Sequence, residues 1–146
     1  MKISTKGRYA LRMLLDLAQH QNDGYVALKD IARRQNVSKK YLEQIVTQLS
    51  RAGLVRSVRG AGGGYLLTRE PEEYTVGEIL RATENSLSPV SCQGLGEEGC
   101  PRGEKCPTLP MWRELNGLIQ DYFDRTTLAH LAQKARENER LLLELL

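Results

Sequence analysis

The chain has 146 residues, of which 40% are hydrophobic and 27% are charged, a composition typical of soluble globular proteins. No apolar run approaches the roughly 18 residues needed to cross a bilayer, and the first residues lack the apolar stretch of a secretory signal. These features argue against a membrane or secreted protein and predict a cytoplasmic one.

The net charge of +3 hides a strong asymmetry between two parts of the chain. Residues 1–69 contain 13 Lys or Arg and 4 Asp or Glu, a net charge of +9. The remaining residues contain 8 basic and 14 acidic side chains, a net charge of −6. A basic part of this kind favours a polyanionic partner such as nucleic acid, joined to a second function. The alternative is an ordinary solvated surface.

Three helices are predicted in the basic part of the chain. Apolar residues recur at helical intervals over 5–21, 28–35 and 39–51. Ser38 is a good N-cap for the third helix, and Gly53 can end it in a left-handed conformation. Helix, short helix, tight turn and polar-faced helix, in this order, are typical of a helix-turn-helix. The polar face of the third helix carries Lys39, Lys40, Glu43, Gln44, Thr47 and Gln48.

A β-hairpin, here called the wing, is predicted next. Residues 54–58 and 65–68 are predicted strands, joined by the glycine-rich loop 59–64. The glycines let the tip of the wing approach another backbone, and Arg59 is placed to enter a DNA minor groove. A loop that binds nucleotide phosphates is the alternative. However, no Gly-Lys-Ser/Thr follows, and the loop leads into a strand rather than a helix.

The acidic part begins with a short helix over 76–83, capped by Thr75. A loop rich in Gly, Pro and Cys extends from there to about residue 107, and a long helix begins near 109–112. The apolar stripe of this helix consists of Trp112, Leu115, Ile119 and Tyr122. Because so small a domain cannot cover such a stripe alone, a second subunit is predicted to cover it. The alternative is a helix folded back on its own core. Thr126-Thr127 caps a last helix that ends in the apolar residues 141–146.

The three cysteines form the pattern Cys92-x7-Cys100-x5-Cys106. Their odd number and a cytoplasmic setting disfavour disulfides, whereas thiols clustered in a polar loop can converge on a soft metal centre. A structural zinc site would show closely paired cysteines and four ligands. Iron–sulfur clusters accept wider spacings. We therefore rank an iron–sulfur cluster first, zinc second and a thiol redox switch third.

No catalytic pair is visible. An enzyme with a reactive cysteine would need a base such as His beside the thiolate. The two histidines, His20 and His130, both lie on predicted helices outside the cysteine loop. The chain is therefore predicted not to be an enzyme.

Several motifs, in the correct order over nearly the whole chain, resemble the Rrf2 family. They are residues 1–10, Tyr41-Leu42-Glu43-Gln44, 53–55, 59–65, 75–79 and 126–128. The cysteine loop followed by Trp112-Arg113-Glu114-Leu115 resembles the iron–sulfur cluster regulator branch of that family. The resemblance implies a mainly α fold with a small β-hairpin wing: a winged helix-turn-helix with a long dimerisation helix, assembled as a homodimer. It also implies a repressor of iron–sulfur assembly genes that senses cluster status.

The resemblance places Glu43 and Gln44 against bases in the major groove and Arg59 in the minor groove. Two such helices in a twofold dimer predict a pseudo-palindromic operator in double-stranded DNA. The predicted DNA contacts are Lys6, Lys39, Lys40, Tyr41, Glu43, Gln44, Arg51, Arg56, Arg59 and Gly60. The predicted cluster ligands are Cys92, Cys100 and Cys106, with a [2Fe–2S] centre favoured over [4Fe–4S]. Iron–sulfur assembly proteins are candidate partners.

The chain departs from that branch at the fourth ligand. Members carry a His three residues after the last cysteine, where this chain has Leu109. Nitric-oxide-sensing relatives use an acidic residue at the eighth position, where this chain has Arg8. The fourth ligand is left unassigned, with Asp16, Glu97, Glu98 and Glu104 as available carboxylates.

Other interpretations stay open. The family also contains repressors of cysteine metabolism, which bind a cysteine-synthesis enzyme and lack the three cysteines. Control by zinc or by thiol oxidation without a cluster is a further alternative. In every case the predicted domains are residues 1–84 for DNA binding, 85–107 for the cysteine loop, and 108–146 for the dimerisation and C-terminal helices.

Overall fold

The computed structural model describes residues 1–92 and 102–146. Within these residues the chain is mainly helical, with one two-stranded antiparallel hairpin. The elements are α1 (Thr5–His20), α2 (Leu28–Gln35), α3 (Lys39–Arg51), β1 (Val55–Val58), β2 (Gly64–Leu67), α4 (Val76–Thr83), α5 (Leu109–Arg125) and α6 (Leu128–Glu144). In the described part of the chain, no helix combines the length and apolarity needed to span a membrane.

Four helices begin at a hydroxyl side chain that accepts a hydrogen bond from the backbone N–H three residues on. The capping residues are Ser4, Ser38, Thr75 and Thr127. Each such cap stabilises the helix by about 1 kcal/mol, since it satisfies a donor that the helix itself cannot. The predicted caps at Ser38 and Thr75 are confirmed, and the last helix begins at the predicted Thr126-Thr127 pair.

Helices α2 and α3 form the helix-turn-helix. The turn between them depends on Asn36, whose φ of 51° places it in the left-handed region and whose N–H bonds back to the end of α2. Asn tolerates this conformation better than most residues with a side chain. The apolar faces of α1, α2 and α3 meet in the main core, together with Leu54 and Val55 at the start of the wing.

The wing is more firmly attached to the core than the sequence indicated. Strands β1 and β2 pair from Val55 with Leu67 to Val58 with Gly64, within one residue of the predicted strands. In addition, Val26 exchanges both backbone hydrogen bonds with Tyr65, at 3.0 and 2.9 Å, and so extends the sheet. A β-carbon at Gly64 would meet the Val26 carbonyl, so this close approach requires glycine.

Tyr74 joins the base of the wing to the core. Its side chain is fully buried, and its hydroxyl donates to the Leu54 carbonyl at 2.6 Å. The same hydroxyl oxygen accepts from the N–H of Thr68 at 2.9 Å. The ring also lies beneath the Arg69 guanidinium, 4.5 Å away. The Tyr74 hydroxyl therefore satisfies one backbone group just before β1 and one just after β2.

Helix α6 returns to the core formed by α1, α2 and α3. Its first residue, Leu128, is fully buried in the main core, and a β-bridge pairs Thr75 with Thr127. A second apolar cluster contains Val76, Leu80 and Leu87, with Ile3, Leu11, Phe123 and Leu131 packed against it. The predicted division at residues 84 and 107 stays a prediction, although both clusters contain residues from either side of it.

The four residues of the predicted apolar stripe of α5 differ in their exposure. Trp112 and Ile119 are half-buried, whereas Leu115 and Tyr122 are exposed. The exposed apolar side chains of α5 are Met111, Leu115, Leu118 and Tyr122. The other exposed group of leucines lies at the end of α6 and comprises Leu141, Leu142, Leu143, Leu145 and Leu146.

Candidate nucleic-acid interface and cysteine segment

The outer face of α3 is polar and open to solvent. Leu42, Ile45, Val46 and Leu49 are buried on its inner side. Lys39, Lys40, Glu43 and Gln44 are exposed on the other side. Lys39 Nζ lies 4.0 Å from Glu43 Oε1, an exposed pair that contributes little to stability. These four side chains can therefore contact a partner while the inner face of α3 stays packed against the core.

A cleft of about 480 Å³ separates α3 from the wing. Lys39 and Glu43 line it on the helix side, and Arg59 and Gly60 line it on the wing side. The structure thus brings together four of the predicted DNA contacts. It also adds Lys29, in the first turn of α2, which the sequence analysis did not select. The presence of a basic residue at the start of the first helix of a helix-turn-helix was the available signal.

Other predicted contacts lie elsewhere. Arg56 borders a different cleft, next to Leu67 and Arg69 on another side of the wing. Arg51 ends α3, about 18 Å from Lys39 at 1.5 Å per residue. Lys6 is half-buried in the first turn of α1. These positions suit contacts with the DNA backbone more than with bases, and their role stays a prediction.

Tyr41 has a structural contact as well. Its ring is half-buried and meets the Tyr9 ring edge-on, with centroids 5.8 Å apart. Arg12 lies over the other ring, 4.8 Å from the Tyr9 centroid, and donates to the side chain and backbone of Gln35 at 2.9 and 3.2 Å. Helix α1 therefore contacts α3 and the end of α2 through its polar side.

Asp16 is not an available carboxylate, contrary to the sequence analysis. It is 1% exposed, and it accepts hydrogen bonds from Arg34 at 2.9 and 2.7 Å and from Gln35 at 3.1 Å. A buried carboxylate needs such partners, because burying an unpaired charge is costly. Asp16 therefore ties α1 to α2, and the prediction that it is free to bind a metal is wrong. Glu97 and Glu98 lie outside the described residues.

Two of the three cysteines, Cys92 and Cys106, lie within the described residues, and both are free thiols of intermediate exposure. Cys100 lies outside them. Within the described ranges, no three His, Cys, Asp or Glu side chains gather as a metal-binding group. The donors themselves suit an iron–sulfur cluster, since unpaired, accessible thiols are what it requires.

Cys106 has a chemical environment that favours its thiolate. Its Sγ lies 3.2 Å from the Thr108 hydroxyl. Hydrogen bonding from Thr108 lowers the pKa of the Cys106 thiol, and the Leu109 backbone and the Arg102 charge act in the same direction. Thiolates, rather than thiols, bind metals.

The two histidines serve local roles on helices. His20 Nδ1 lies 2.8 Å from the Asp16 backbone carbonyl. His130 Nδ1 accepts from the Thr127 N–H at 3.3 Å and so takes part in capping α6. Leu109, at the position where the resembling branch has a His, is buried at the start of α5. Neither histidine lies in the cysteine segment, the loop of residues 85–107 that contains the three cysteines.

Comparison with known proteins identifies the family of this chain. Residues 3–134 match the Rrf2 family, described as iron-dependent transcriptional regulators. The chain is 45% identical over 131 residues to the HTH-type transcriptional regulator IscR of Erwinia tasmaniensis, covering 90% of this chain and 78% of the relative. It is 44% identical over 131 residues to IscR of Serratia proteamaculans, with coverages of 90% and 79%.

Solved structures of two kinds of regulator share the fold. CymR, the global cysteine regulator of B. subtilis, superposes with a TM-score of 0.76 at 42% identity, covering 92% of this chain and 98% of its own. IscR of T. potens superposes with a TM-score of 0.75 at 40% identity, with coverages of 94% and 90%. These similarities confirm the predicted winged helix-turn-helix fold and a regulatory rather than an enzymatic role. The chain belongs to the Rrf2 family of DNA-binding transcription regulators.

Proposed function

We propose that this protein is a cytoplasmic repressor of iron–sulfur cluster assembly genes, whose DNA binding responds to a cluster held by Cys92, Cys100 and Cys106. The observation that carries the proposal is the pair of accessible free thiols, Cys92 and Cys106, in the segment between α4 and α5. The favoured thiolate of Cys106 supports it, and so does the similarity to IscR proteins.

The cluster would be [2Fe–2S] in preference to [4Fe–4S]. When bound, it would supply a redox- and iron-dependent state. The chain itself would supply the thiolate ligands, favour the Cys106 thiolate through the hydrogen bond with Thr108 and fix the two ends of the segment on α4 and α5. A cluster that binds one conformation of the protein more tightly than another shifts the population towards that conformation.

DNA recognition would be carried by α3 and the wing. Gln44 suits a bidentate contact with adenine, and Glu43 can accept from a cytosine amine. Arg59 at the wing tip suits a narrow minor groove, and Lys29, Lys39 and Lys40 suit phosphates.

Gln44→Ala should reduce affinity for the operator by about 5- to 150-fold and relax specificity at one base pair, as measured by titration with single-base variants. Lys40→Ala should weaken binding to all sequences alike and lower its salt dependence.

A homodimer would form through α5. Its exposed side chains Met111, Leu115, Leu118 and Tyr122 are spaced by four, three and four residues, the spacing of paired helices in a coiled coil. A twofold dimer of this kind places two α3 helices on half-sites about one helical turn apart in a pseudo-palindromic operator.

The test is anaerobic purification followed by the visible spectrum and by iron and sulfide analysis per subunit. We expect a brown protein with near-stoichiometric iron and sulfide, bleached by alanine at Cys92, Cys100 or Cys106. Ser91→Ala, next to Cys92, is the matched control and should retain the colour. A colourless protein that resists anaerobic reconstitution would contradict the proposal.

A second function is favoured by the similarity to CymR, a cysteine regulator, at 42% identity. In that case the protein would control sulfur metabolism through a protein partner. A colourless protein that co-purifies with a cysteine-synthesis enzyme would support this alternative. Stoichiometric zinc, or DNA binding that follows thiol oxidation alone, would instead indicate control without a cluster.

A further inference from the structure

Glu84 links the start of the cysteine segment to the start of α1. It follows directly after α4, and its Oε1 accepts from both the N–H and the hydroxyl of Ser4, at 2.8 and 2.7 Å. The Ser4 oxygen accepts in turn from the N–H of Gly7 at 3.0 Å. A β-carbon at Gly7 would meet Glu84 Oε1, so the glycine leaves room for the carboxylate.

The charge of Glu84 suits this position. The first turn of α1 contains no acidic residue, although the N-terminal end of a helix is stabilised by negative charge. Lys6 lies in this turn instead. Glu84 therefore supplies, from 80 residues away in sequence, the negative charge that α1 itself lacks.

The segment that begins at Glu84 is also fixed to α5. Leu87 is 6% exposed and belongs to the second apolar cluster. Its carbonyl accepts from the side-chain amide of Gln120 at 3.2 Å. Arg81, one turn before Glu84, binds Asp124 with two hydrogen bonds of 2.7 and 3.1 Å. The start of the segment leading to Cys92 is therefore held between α1 and α5.

Helix α1 carries this contact to the DNA-binding surface. Tyr9, about one turn beyond Ser4, contacts Tyr41 in the first turn of α3. Tyr41 is followed by Glu43 and Gln44, the candidate base-reading residues. A shift of α1 at its N-terminus would therefore change the position of the start of α3.

We propose that Glu84 is a positioning residue for DNA recognition. It fixes the N-terminus of α1, and α1 fixes the start of α3 through the contact between Tyr9 and Tyr41. The inference rests on the proposed reading of DNA by α3. Because Glu84 begins the segment that contains Cys92, this path also connects the start of that segment to α3.

The experiment compares two DNA duplexes: the sequence that the wild-type protein selects from a randomised library, and a scrambled duplex of equal length. Glu84→Ala and Gly7→Ala, which disturb the contact from opposite sides, should each weaken binding to the selected duplex by about 10-fold, within the range of typical coupling between sites. Binding to the scrambled duplex, which depends on phosphate contacts, should change much less. Glu72→Ala, at an exposed residue of the turn Pro71–Glu73, is the control and should leave both affinities unchanged.

A double-mutant cycle with Gln44→Ala separates positioning from general destabilisation. If Glu84 acts through α3, Glu84→Ala should reduce the affinity for the selected duplex several-fold less in the Gln44→Ala protein than in the wild type. The reason is that the effects of coupled residues are not additive. Glu84→Gln retains an acceptor oxygen and should fold. If Glu84→Ala does not fold, Glu84→Gln and Gly7→Ala take its place in the binding measurements. Equal losses on both duplexes, additive effects or unchanged affinity would overturn the inference.

The reading of DNA by α3 and the role of Glu84 can be disproved separately. If the wild-type protein selects no sequence, or if Gln44→Ala leaves selection unchanged, the proposed reading by α3 is wrong and the inference falls with it. If Gln44→Ala removes selectivity while the Glu84 and Gly7 variants keep it, the role of α3 stands and the role of Glu84 alone is wrong.

Discussion

Helices α3 and α5 have similar amphipathic patterns but very different surroundings. All four inward-facing apolar residues of α3 are buried within the chain, whereas Leu109 is the one fully buried residue of α5 among those the structure describes. Four further apolar side chains of α5 are exposed. An apolar stripe thus predicts that a helix packs against something, and the fold decides whether that is the same chain. The difference places α3 in the core of the subunit and leaves α5 with the apolar face on which the proposed dimer depends.

The largest expected effect is on the α3 side of this comparison. Leu42 is fully buried in the main core, so Leu42→Ala should lower the free energy of unfolding by about 3 kcal/mol through lost burial and a cavity. Urea denaturation at fixed protein concentration measures it. A loss below about 1 kcal/mol would mean that the core relaxes around the cavity, and that α3 is less firmly packed than its burial indicates.

On the α5 side, Leu118 is 64% exposed. Leu118→Glu should leave the folded subunit intact but weaken dimerisation by about 2 kcal/mol, roughly 30-fold in Kd, because the charge would be buried at the interface. Sedimentation equilibrium measures the change. Leu143→Glu, at an equally exposed leucine of α6, is the control. If the Leu143 variant dissociates and the Leu118 variant does not, the interface lies on α6.

Tyr74→Phe tests how the wing is held to the α3 side. Removing the hydroxyl leaves the Leu54 carbonyl and the Thr68 N–H without this partner, and the expected cost is about 1.5 kcal/mol in the free energy of unfolding. Hydrogen exchange should show that the amides of β2 lose protection first. Wild-type protection in β2 would contradict the role assigned to this hydroxyl.

The smallest effect is expected at Gly117 in the middle of α5. Apart from the backbone of α5 itself, a β-carbon there would meet no atom of the described residues within 4 Å, so Gly117→Ala should stabilise α5 by about 0.5–1 kcal/mol through helix propensity. Thermal unfolding measures the gain in the subunit. If instead the variant dimerises less well in sedimentation, the partner helix crosses α5 close to this glycine, which would sharpen the description of the interface.

Local chemistry explains what could be predicted from the sequence. Helices α2, α3 and α4 have the predicted bounds, because caps such as Ser38 and Thr75 and left-handed residues such as Asn36 determine a helix end from nearby residues. The fold class followed from the order of these elements and from the glycines of the wing. The candidate base-reading residues lie on the exposed face of α3 because the spacing of Leu42, Ile45 and Leu49 fixes the opposite face.

Features that depend on distant residues could not be predicted. The bridge between Val26 and Tyr65 joins positions 39 residues apart, and Val26 lies outside every predicted strand. Asp16 is buried because Arg34 lies beside it, which the sequence around Asp16 does not show. The unequal exposure of the α5 stripe depends on the packing of α5 against α4, which includes the pair of Arg81 with Asp124. That a second subunit covers the stripe stays a prediction.

The burial of Leu128 has a consequence for biosynthesis. The main core around α1, α2 and α3 is closed by a residue that leaves the ribosome only after α5 has been made. Domains usually fold from the N-terminus as the chain emerges, but here α1, α2 and α3 must wait for α6 before their apolar faces are fully covered. A chain that terminates before Leu128 would therefore expose part of this core, and the core is fully packed only in chains whose synthesis has passed α5.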